Sequence, residues 1–161
     1  MSKMKAEGLK PNVVSYTALI DSCAKVGESD NAVRWFEVMV ESGITPNAVS
    51  YNAVINGFAR RGDTENALAW LDQMRRVLPL DKVSYNSAIN SCAVADPPRS
   101  EEAEELFREM RAAGFMPNAS TLTSLERATS VKRRNQLCWE LGIDVEKAMQ
   151  RKPQREHRQV R

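Results

Sequence analysis

Hydrophobic and polar residues along the chain follow the period of an α-helix, in segments separated by short polar turns. Beyond Tyr16, apolar residues fall at i+3, i+4, i+7 and i+8, which is one stripe of a helix. The same stripe recurs beyond Tyr51 and Tyr85, and each stripe predicts an amphipathic helix, the first helix of its unit. The three stripes are Tyr16, Leu19, Ile20, Cys23 and Ala24; Tyr51, Val54, Ile55, Phe58 and Ala59; and Tyr85, Ala88, Ile89, Cys92 and Ala93.

A second apolar stripe follows each first helix and predicts a second helix. Gly27 and Gly62 are expected to end two first helices, and Pro46 and Pro117 to prevent two second helices from continuing. Hydroxyl side chains are expected to act as N-caps: Ser15, Ser50 and Ser84 for the first helices, and Ser29, Thr64 and Ser100 for the second. The second stripes are Ala32, Phe36 and Met39; Ala67, Leu71 and Met74; and Ala103, Phe107 and Met110.

The helix pairs repeat along the chain. The tyrosines are 35 and 34 residues apart, and the dipeptide Pro11-Asn12 returns as Pro46-Asn47 and Pro117-Asn118. These spacings define repeats at 13–47, 48–81 and 82–118. Because one pair of about 35 residues cannot cover its own apolar stripes, the pairs must stack on each other. The sequence therefore predicts an all-α fold, a right-handed α-solenoid superhelix of antiparallel helix pairs.

The ends of the chain depart from the repeat. Residues 1–12 align with the second half of an incomplete repeat, and 119–150 are expected to form a partial repeat and C-terminal capping helices. Glu126 takes the place of the stripe isoleucine there, which is typical of a terminal unit. Residues 151–161 are predicted to be a basic, disordered tail. The residues expected to cover the last pair are Leu137, Trp139, Leu141, Ile143 and Val145.

Composition excludes several classes of function. Charged residues make up 27% and hydrophobic residues 42%, which is ordinary for a globular domain, and no apolar run approaches the ~20 residues of a membrane helix. The net charge is +2, of which Lys147–Arg161 contributes +5, so residues 1–146 carry −3. The single histidine, His157, cannot build a triad or a metal cluster. We expect no enzyme activity, cofactor, metal or small-molecule substrate.

Cysteine usage adds no chemistry. Cys23 and Cys92 occupy the same place in their repeats, seven residues after the tyrosine, and Phe58 takes that place in the middle repeat. A position that accepts cysteine or phenylalanine is an apolar packing position. We therefore expect neither a disulfide nor a redox centre.

The repeats resemble the pentatricopeptide repeat family in its plain 35-residue form, over about residues 3–128. The tetratricopeptide repeat would require Trp and Leu-Gly marks early in its first helix, which are absent. The resemblance implies binding of single-stranded RNA at one base per repeat, in a mitochondrion or plastid, for RNA processing, stability or translation. The first residues show no targeting segment. The strings that carry the resemblance are VVSYTALIDSCAKVGESDNAVRWFEVMVESGITPN and AVSYNAVINGFARRGDTENALAWLDQM.

The resemblance also assigns roles to residues. Each repeat would read one base with the residue after the tyrosine and the residue that closes the repeat. Carried over by position, Thr17 with Asn47 implies adenine, Asn52 with Asp81 uracil, and Asn86 with Asn118 cytosine, or 5′-AUC-3′. Val14, Val49 and Val83 would flank the base faces, and Lys25 and Arg60 would approach phosphates.

Two alternatives stay open. Asn and Asp at these places are often only helix caps and turn formers. The same solenoid could also serve as a scaffold for protein–protein interaction, which would not require a polar pair in each repeat. Besides RNA, further repeats or a second copy of the chain could pack on the N-terminal end.

Overall fold

The computed structural model describes residues 11–150, and within that range the chain forms nine α-helices and no strand. The predicted all-α solenoid of antiparallel helix pairs is confirmed. The predictions for residues 1–10 and for the basic tail at 151–161 lie outside the described residues. The helices are α1 Val13–Lys25, α2 Ser29–Glu41, α3 Ala48–Arg61, α4 Thr64–Val77, α5 Lys82–Val94, α6 Ser100–Ala112, α7 Ala119–Ala128, α8 Val131–Glu140 and α9 Val145–Gln150.

The first helices start at the Asn or Asp that closes the preceding unit. In each case the side chain of this residue accepts a hydrogen bond from the backbone N–H three residues later. The predicted serine caps are therefore wrong, because Ser15, Ser50 and Ser84 lie inside the first turn. In α1, α5 and α7 the hydroxyl oxygen three residues after the cap accepts a hydrogen bond from the backbone N–H of the cap residue, which completes a capping box. The caps are Asn12, Asn47, Asp81 and Asn118.

The hydroxyls at the start of the second helices connect neighbouring repeats. Thr64 Oγ1 donates to the carbonyl of Ser91 over 2.8 Å, and Ser100 Oγ donates to the carbonyl of Ala128 over 2.6 Å. Ser29 is buried at the equivalent place. The prediction that these residues are N-caps is wrong because each is already the first helical residue, where its hydroxyl points toward the next first helix.

The helices form two layers. First helices α1, α3, α5 and α7 pack side by side, and each of α1, α3 and α5 packs on its own second helix. Small residues allow the first helices to approach closely: a Cβ placed on Gly57 of α3 would lie 3.0 Å from Cβ of Ala24 in α1. Because the first helices are the more closely spaced layer, their free face is the inner, concave wall of the solenoid.

The core follows the predicted stripes. Tyr16, Tyr51 and Tyr85 are buried, as expected for packing residues. Phe36 stacks edge to face on Tyr51 and Trp70, with ring centroids 4.8 and 4.9 Å apart, which joins the first two repeats through aromatic contacts.

The C-terminal helices close the stack with an ion pair as well as with apolar residues. Glu126 pairs with Arg134, whose side chain is buried, and Leu137 and Ile143 lie in the core. Trp139 was expected to cover the last pair, but it is 84% exposed. Two residues beyond Leu137, it lies about 200° around α8 and faces outward.

None of the nine helices is long and apolar enough to cross a lipid bilayer. Between residues 11 and 150 no group of His, Cys, Asp and Glu side chains is placed to hold a metal ion.

Candidate nucleic-acid interface

An open groove of about 470 Å³ runs across the inner wall over α1, α3 and α5. It brings together five residues predicted to contact RNA, which come from two repeats and the start of a third. Asn86 and the three repeat-closing residues are not among its lining residues. The predicted contacts in the groove are Val14, Thr17, Val49, Asn52 and Val83.

In the first repeat, Thr17 is joined to its closing residue through a hydroxyl. Thr17 Oγ1 lies 2.8 Å from Ser50 Oγ, and Ser50 Oγ donates to Asn47 Oδ1 over 3.1 Å. Asn47 Oδ1 also accepts the Ser50 backbone N–H. Because the amide oxygen of Asn47 is used for the helix cap, its NH₂ group remains as the donor that this exposed side chain presents.

In the second repeat the two residues are in direct contact. Asn52 Nδ2 lies 3.1 and 3.0 Å from the two carboxylate oxygens of Asp81. Asp81 Oδ1 also accepts the backbone N–H and hydroxyl of Ser84. Asn52 is 7% exposed, and its Oδ1 is buried without a partner in the described part of the chain. This pair thus offers acceptors, chiefly Asp81 Oδ2, and no free N–H from the closing residue.

In the third repeat a hydroxyl again connects the two residues. Thr121 Oγ1 lies 2.6 Å from Asn86 Oδ1 and 3.0 Å from Asn118 Oδ1. The Thr121 backbone N–H also donates to Asn118 Oδ1. As in Asn47, the amide oxygen of Asn118 is used to cap the helix, so its NH₂ group is the part that can donate to another partner. The Thr121 hydroxyl has one hydrogen and donates to one of the Asn86 and Asn118 amide oxygens at a time. The second pair is thus in direct contact, and a hydroxyl lies between the two residues of the first and of the third pair.

Three valines lie one helical turn before Thr17, Asn52 and Asn86, and they are solvent-exposed although they are apolar. Val14, Val49 and Val83 are 53, 50 and 50% exposed, and they lie at equivalent places on consecutive first helices. Ser120 takes this place in α7. A regularly spaced row of exposed apolar side chains can contact flat, apolar faces such as those of nucleobases.

The two predicted phosphate contacts have different surroundings. Lys25 Nζ forms an ion pair with Asp21 over 2.6 Å on α1. Arg60 is exposed at the equivalent place on α3, and within residues 11–150 it has no carboxylate at ion-pair distance.

Sequence reasoning missed two sets of residues. Ser50 was interpreted only as a helix cap and Thr121 was assigned no role, whereas their hydroxyls lie between the members of the predicted base-reading pairs. Asp21 and Asn56 lie in the groove one helical turn beyond Thr17 and Asn52. Their i+4 spacing from the reading residues was the available signal, since residues four apart share a helix face.

A second cavity, of about 630 Å³, lies at the turns that join α3 to α4 and α5 to α6. Acidic side chains, among them Asp63, Glu65 and Glu101, line it. That lining is unsuitable for a polyanion, so the inner groove remains the candidate interface.

The stacked helix pairs, with one connected polar pair in each unit on the inner wall, place this protein among the α-solenoid repeat proteins. Sequence models of the PPR repeat family match residues 11–60 and 46–94, and a PPR repeat model matches residues 83–115, together more than half of the chain. The chain belongs to the pentatricopeptide repeat family.

Relatives support this assignment. The mitochondrial pentatricopeptide repeat-containing protein At2g03880 of Arabidopsis thaliana is 35% identical over 122 residues, which is 76% of this chain and 13% of that protein. Maize PPR10 in complex with an 18-nucleotide psaJ RNA element superposes with a TM-score of 0.73 and 27% identity, over 91% of this chain and 22% of that chain.

The fold is also shared with a more distant protein. The PPR domain of Arabidopsis thaliana protein-only RNase P 1, in complex with tRNA, gives a TM-score of 0.68 at 15% identity, over 87% of this chain and 74% of that chain. This chain spans about an eighth of the Arabidopsis repeat protein and about a fifth of PPR10.

Proposed function

We propose that this chain binds single-stranded RNA along its inner groove and reads one base with each of its three repeats. The observation that carries the proposal is the polar pair that recurs in every repeat at equivalent places, in direct contact in the second repeat and separated by one hydroxyl in the other two. The RNA complex of PPR10, a similar solenoid of the same family, supports the choice of ligand. The mitochondrial relative favours an organellar role in RNA processing, stability or translation.

The closing residue determines whether a repeat pairs with a base whose ring nitrogen accepts a hydrogen bond or with one whose ring N–H donates. Asn47 and Asn118 present NH₂ donors, which suit adenine N1 and cytosine N3, because both ring nitrogens are acceptors. Asp81 Oδ2 accepts from Asn52 Nδ2 and keeps a second lone pair, which suits the N3–H donor of uracil. A wrong base would leave a polar group of the repeat without a partner, which typically costs about 1–3 kcal/mol.

The second member of each pair adjusts the space and adds a hydrogen bond. Thr17 is smaller than Asn52 and Asn86, so the first repeat leaves more room for a purine. A modest rotation of the Asn52 amide, about a torsion that is broad for this side chain, brings its unpaired Oδ1 toward a base N–H. With adenine at the first repeat, uracil at the second and cytosine at the third, the bound sequence is 5′-AUC-3′, with the N-terminal repeat at the 5′ end. The exposed valines would pack on the base faces.

Equilibrium binding to short, labelled, unstructured RNAs at low salt tests the proposal. An RNA that carries 5′-AUC-3′ should bind more tightly than the same RNA carrying 5′-CUA-3′. Asn52→Ala should weaken binding, whereas Gln73→Ala, which removes an amide from the outer helix α4, should not. If no RNA binds at low salt, the RNA-binding proposal is rejected and the alternative of a scaffold for protein partners is favoured.

A further inference from the structure

Asp21 is the one carboxylate that lines the inner groove among the described residues. It lies one turn beyond Thr17 on α1 and contacts Lys25 over 2.6 Å, an i,i+4 pair whose side chains are 40 and 61% exposed. Phosphates are negatively charged, so a carboxylate in a groove that is expected to hold RNA opposes binding. The same carboxylate also neutralises the basic residue next to it.

The other repeats differ at these two places. In the second repeat the equivalents are Asn56, which also lines the groove, and Arg60, which is exposed and has no ion-pair partner within residues 11–150. In the third repeat they are Asn90 and Val94. At these two positions the first repeat has a net charge of zero, because Asp21 neutralises Lys25. Counting the described residues alone, the second repeat has one unpaired positive charge, on Arg60, and the third repeat has no charge.

Resting on the proposed RNA-binding function, we propose that Asp21 weakens RNA binding at the first repeat by holding Lys25 in an ion pair. Arg60 is then the phosphate contact of this part of the groove. The carboxylate at Asp21 thereby limits the affinity that is independent of sequence, and it leaves discrimination between bases to the polar pairs.

The physical reason is a competition for Lys25. A phosphate that approaches α1 must displace Asp21 from the ammonium group, and it meets the charge of the displaced carboxylate at short range. An exposed ion pair is weak, so Lys25 can be released. Removing the carboxylate makes Lys25 available at no such cost and removes the repulsion.

Two reciprocal substitutions test this inference with a short single-stranded RNA that carries 5′-AUC-3′. Asp21→Asn copies the second repeat, and it should tighten binding about three- to fivefold at low salt, as expected for one exposed charge contact. The plot of log affinity against log salt concentration should become steeper by about 0.7, the value for one added phosphate contact on a single strand. Asn56→Asp copies the first repeat, and it should weaken binding and flatten the plot.

A double-variant cycle identifies the partner. Direct repulsion between a carboxylate and a phosphate does not depend on the basic neighbour, so that part of each effect should remain. Asp21→Asn should therefore give a smaller gain when Lys25→Met is already present, and Asn56→Asp should cause a smaller loss when Arg60→Met is present. Circular dichroism and thermal unfolding confirm that each variant is folded, and the change at two exposed side chains should leave the melting temperature nearly unchanged.

The outcomes separate this inference from the proposed function. If the unsubstituted chain binds no RNA at low salt, the proposed function fails and this inference fails with it. If the unsubstituted chain binds but Asp21→Asn gives no gain, the role of Asp21 is rejected while RNA binding stands. A gain that persists in full with Lys25→Met overturns the role of the ion pair.

Discussion

Asn52 of α3 and Asp81, which caps α5, are in direct contact, with Asn52 Nδ2 donating to both carboxylate oxygens over 3.1 and 3.0 Å. The corresponding residues of the neighbouring repeats meet through an intervening hydroxyl instead. The difference follows from the closing residue. A carboxylate has acceptors to spare after capping a helix, whereas a capping asparagine has only its NH₂ group left.

Asp81→Asn should change the base preference of the second repeat from uracil to cytosine. The new amide caps α5 with its oxygen and presents NH₂ where a carboxylate oxygen was, so an N3 acceptor is favoured over an N3–H donor. The penalty against the former base should be about 1–3 kcal/mol in competition binding with RNAs that differ at that base. Helix stability should hardly change, because Asn and Asp are equally good N-caps. An unaltered preference would contradict the assigned role of Asp81.

Asn118→Asp is the converse experiment in the third repeat. A carboxylate in place of the amide removes the donor and should move the preference from cytosine toward uracil, again by about 1–3 kcal/mol. Competition between two RNAs that differ only at the third base measures the change. The first two bases should keep their preferences, and a uniform loss at all three would indicate a disturbed fold rather than a changed reading residue.

Gly57→Leu should separate the two first helices at their closest approach. A Cβ at this place would already lie 3.0 Å from Cβ of Ala24 and 3.3 Å from its Cα, so a larger side chain cannot be accommodated without moving α1. We expect the free energy of unfolding in urea to fall by about 1–3 kcal/mol. Glu37→Leu on the exposed face of α2 is the matched control and should have a small effect. Equal stability of the two variants would show that the helices are not closely packed at Gly57.

Glu104 should make the solenoid sensitive to acid. The hydrogen bonds from Arg133, over 2.6 Å at the Nε atom, hold the pKa of this carboxyl below its ordinary value. Because the pKa is lower in the folded chain, the stabilisation is complete above the unfolded pKa of about 4.3 and is lost as the pH falls through the lower folded pKa. Melting temperatures between neutral and strongly acidic pH should therefore fall less steeply for Glu104→Gln. Glu105→Gln, at an exposed neighbouring place, should retain the steep fall.

The cysteines should differ in their reactivity toward thiol reagents. Burial raises the pKa of the Cys92 thiol to about 11, so very little thiolate is present at neutral pH, and Cys138 is also buried with a raised pKa. Partial burial and the nearby Glu28 raise the pKa of the Cys23 thiol as well, so its expected higher reactivity rests on its partial exposure. Mass spectrometry after brief alkylation of the native protein should find Cys23 modified first, with all three modified in denaturant. Fast native alkylation of Cys92 would mean that the repeats open readily at that place.

Much of the fold was predictable because each helix is described by a local pattern. Stripes at i, i+3 and i+4 predicted the helices α1 to α6 of the three repeats, and the tyrosines that begin the first stripes are buried. The serine caps were wrong for a local reason: Asn or Asp three residues earlier provides the cap. The prediction that Trp139 covers the last helix pair was wrong, because counting apolar residues in a segment ignores the direction in which each side chain points.

By itself, the sequence determined that this is an array of helix pairs whose apolar stripes form the core. These properties depend on residues close together in the chain. Tertiary structure alone decided which side chains of one first helix meet the start of the next first helix: Thr17 with Ser50, Asn52 with Asp81, and Asn86 with Thr121. Each of these contacts joins residues about one repeat apart, and its geometry depends on how closely one first helix packs against the next. That spacing is a property of the stacked core, which no single repeat contains.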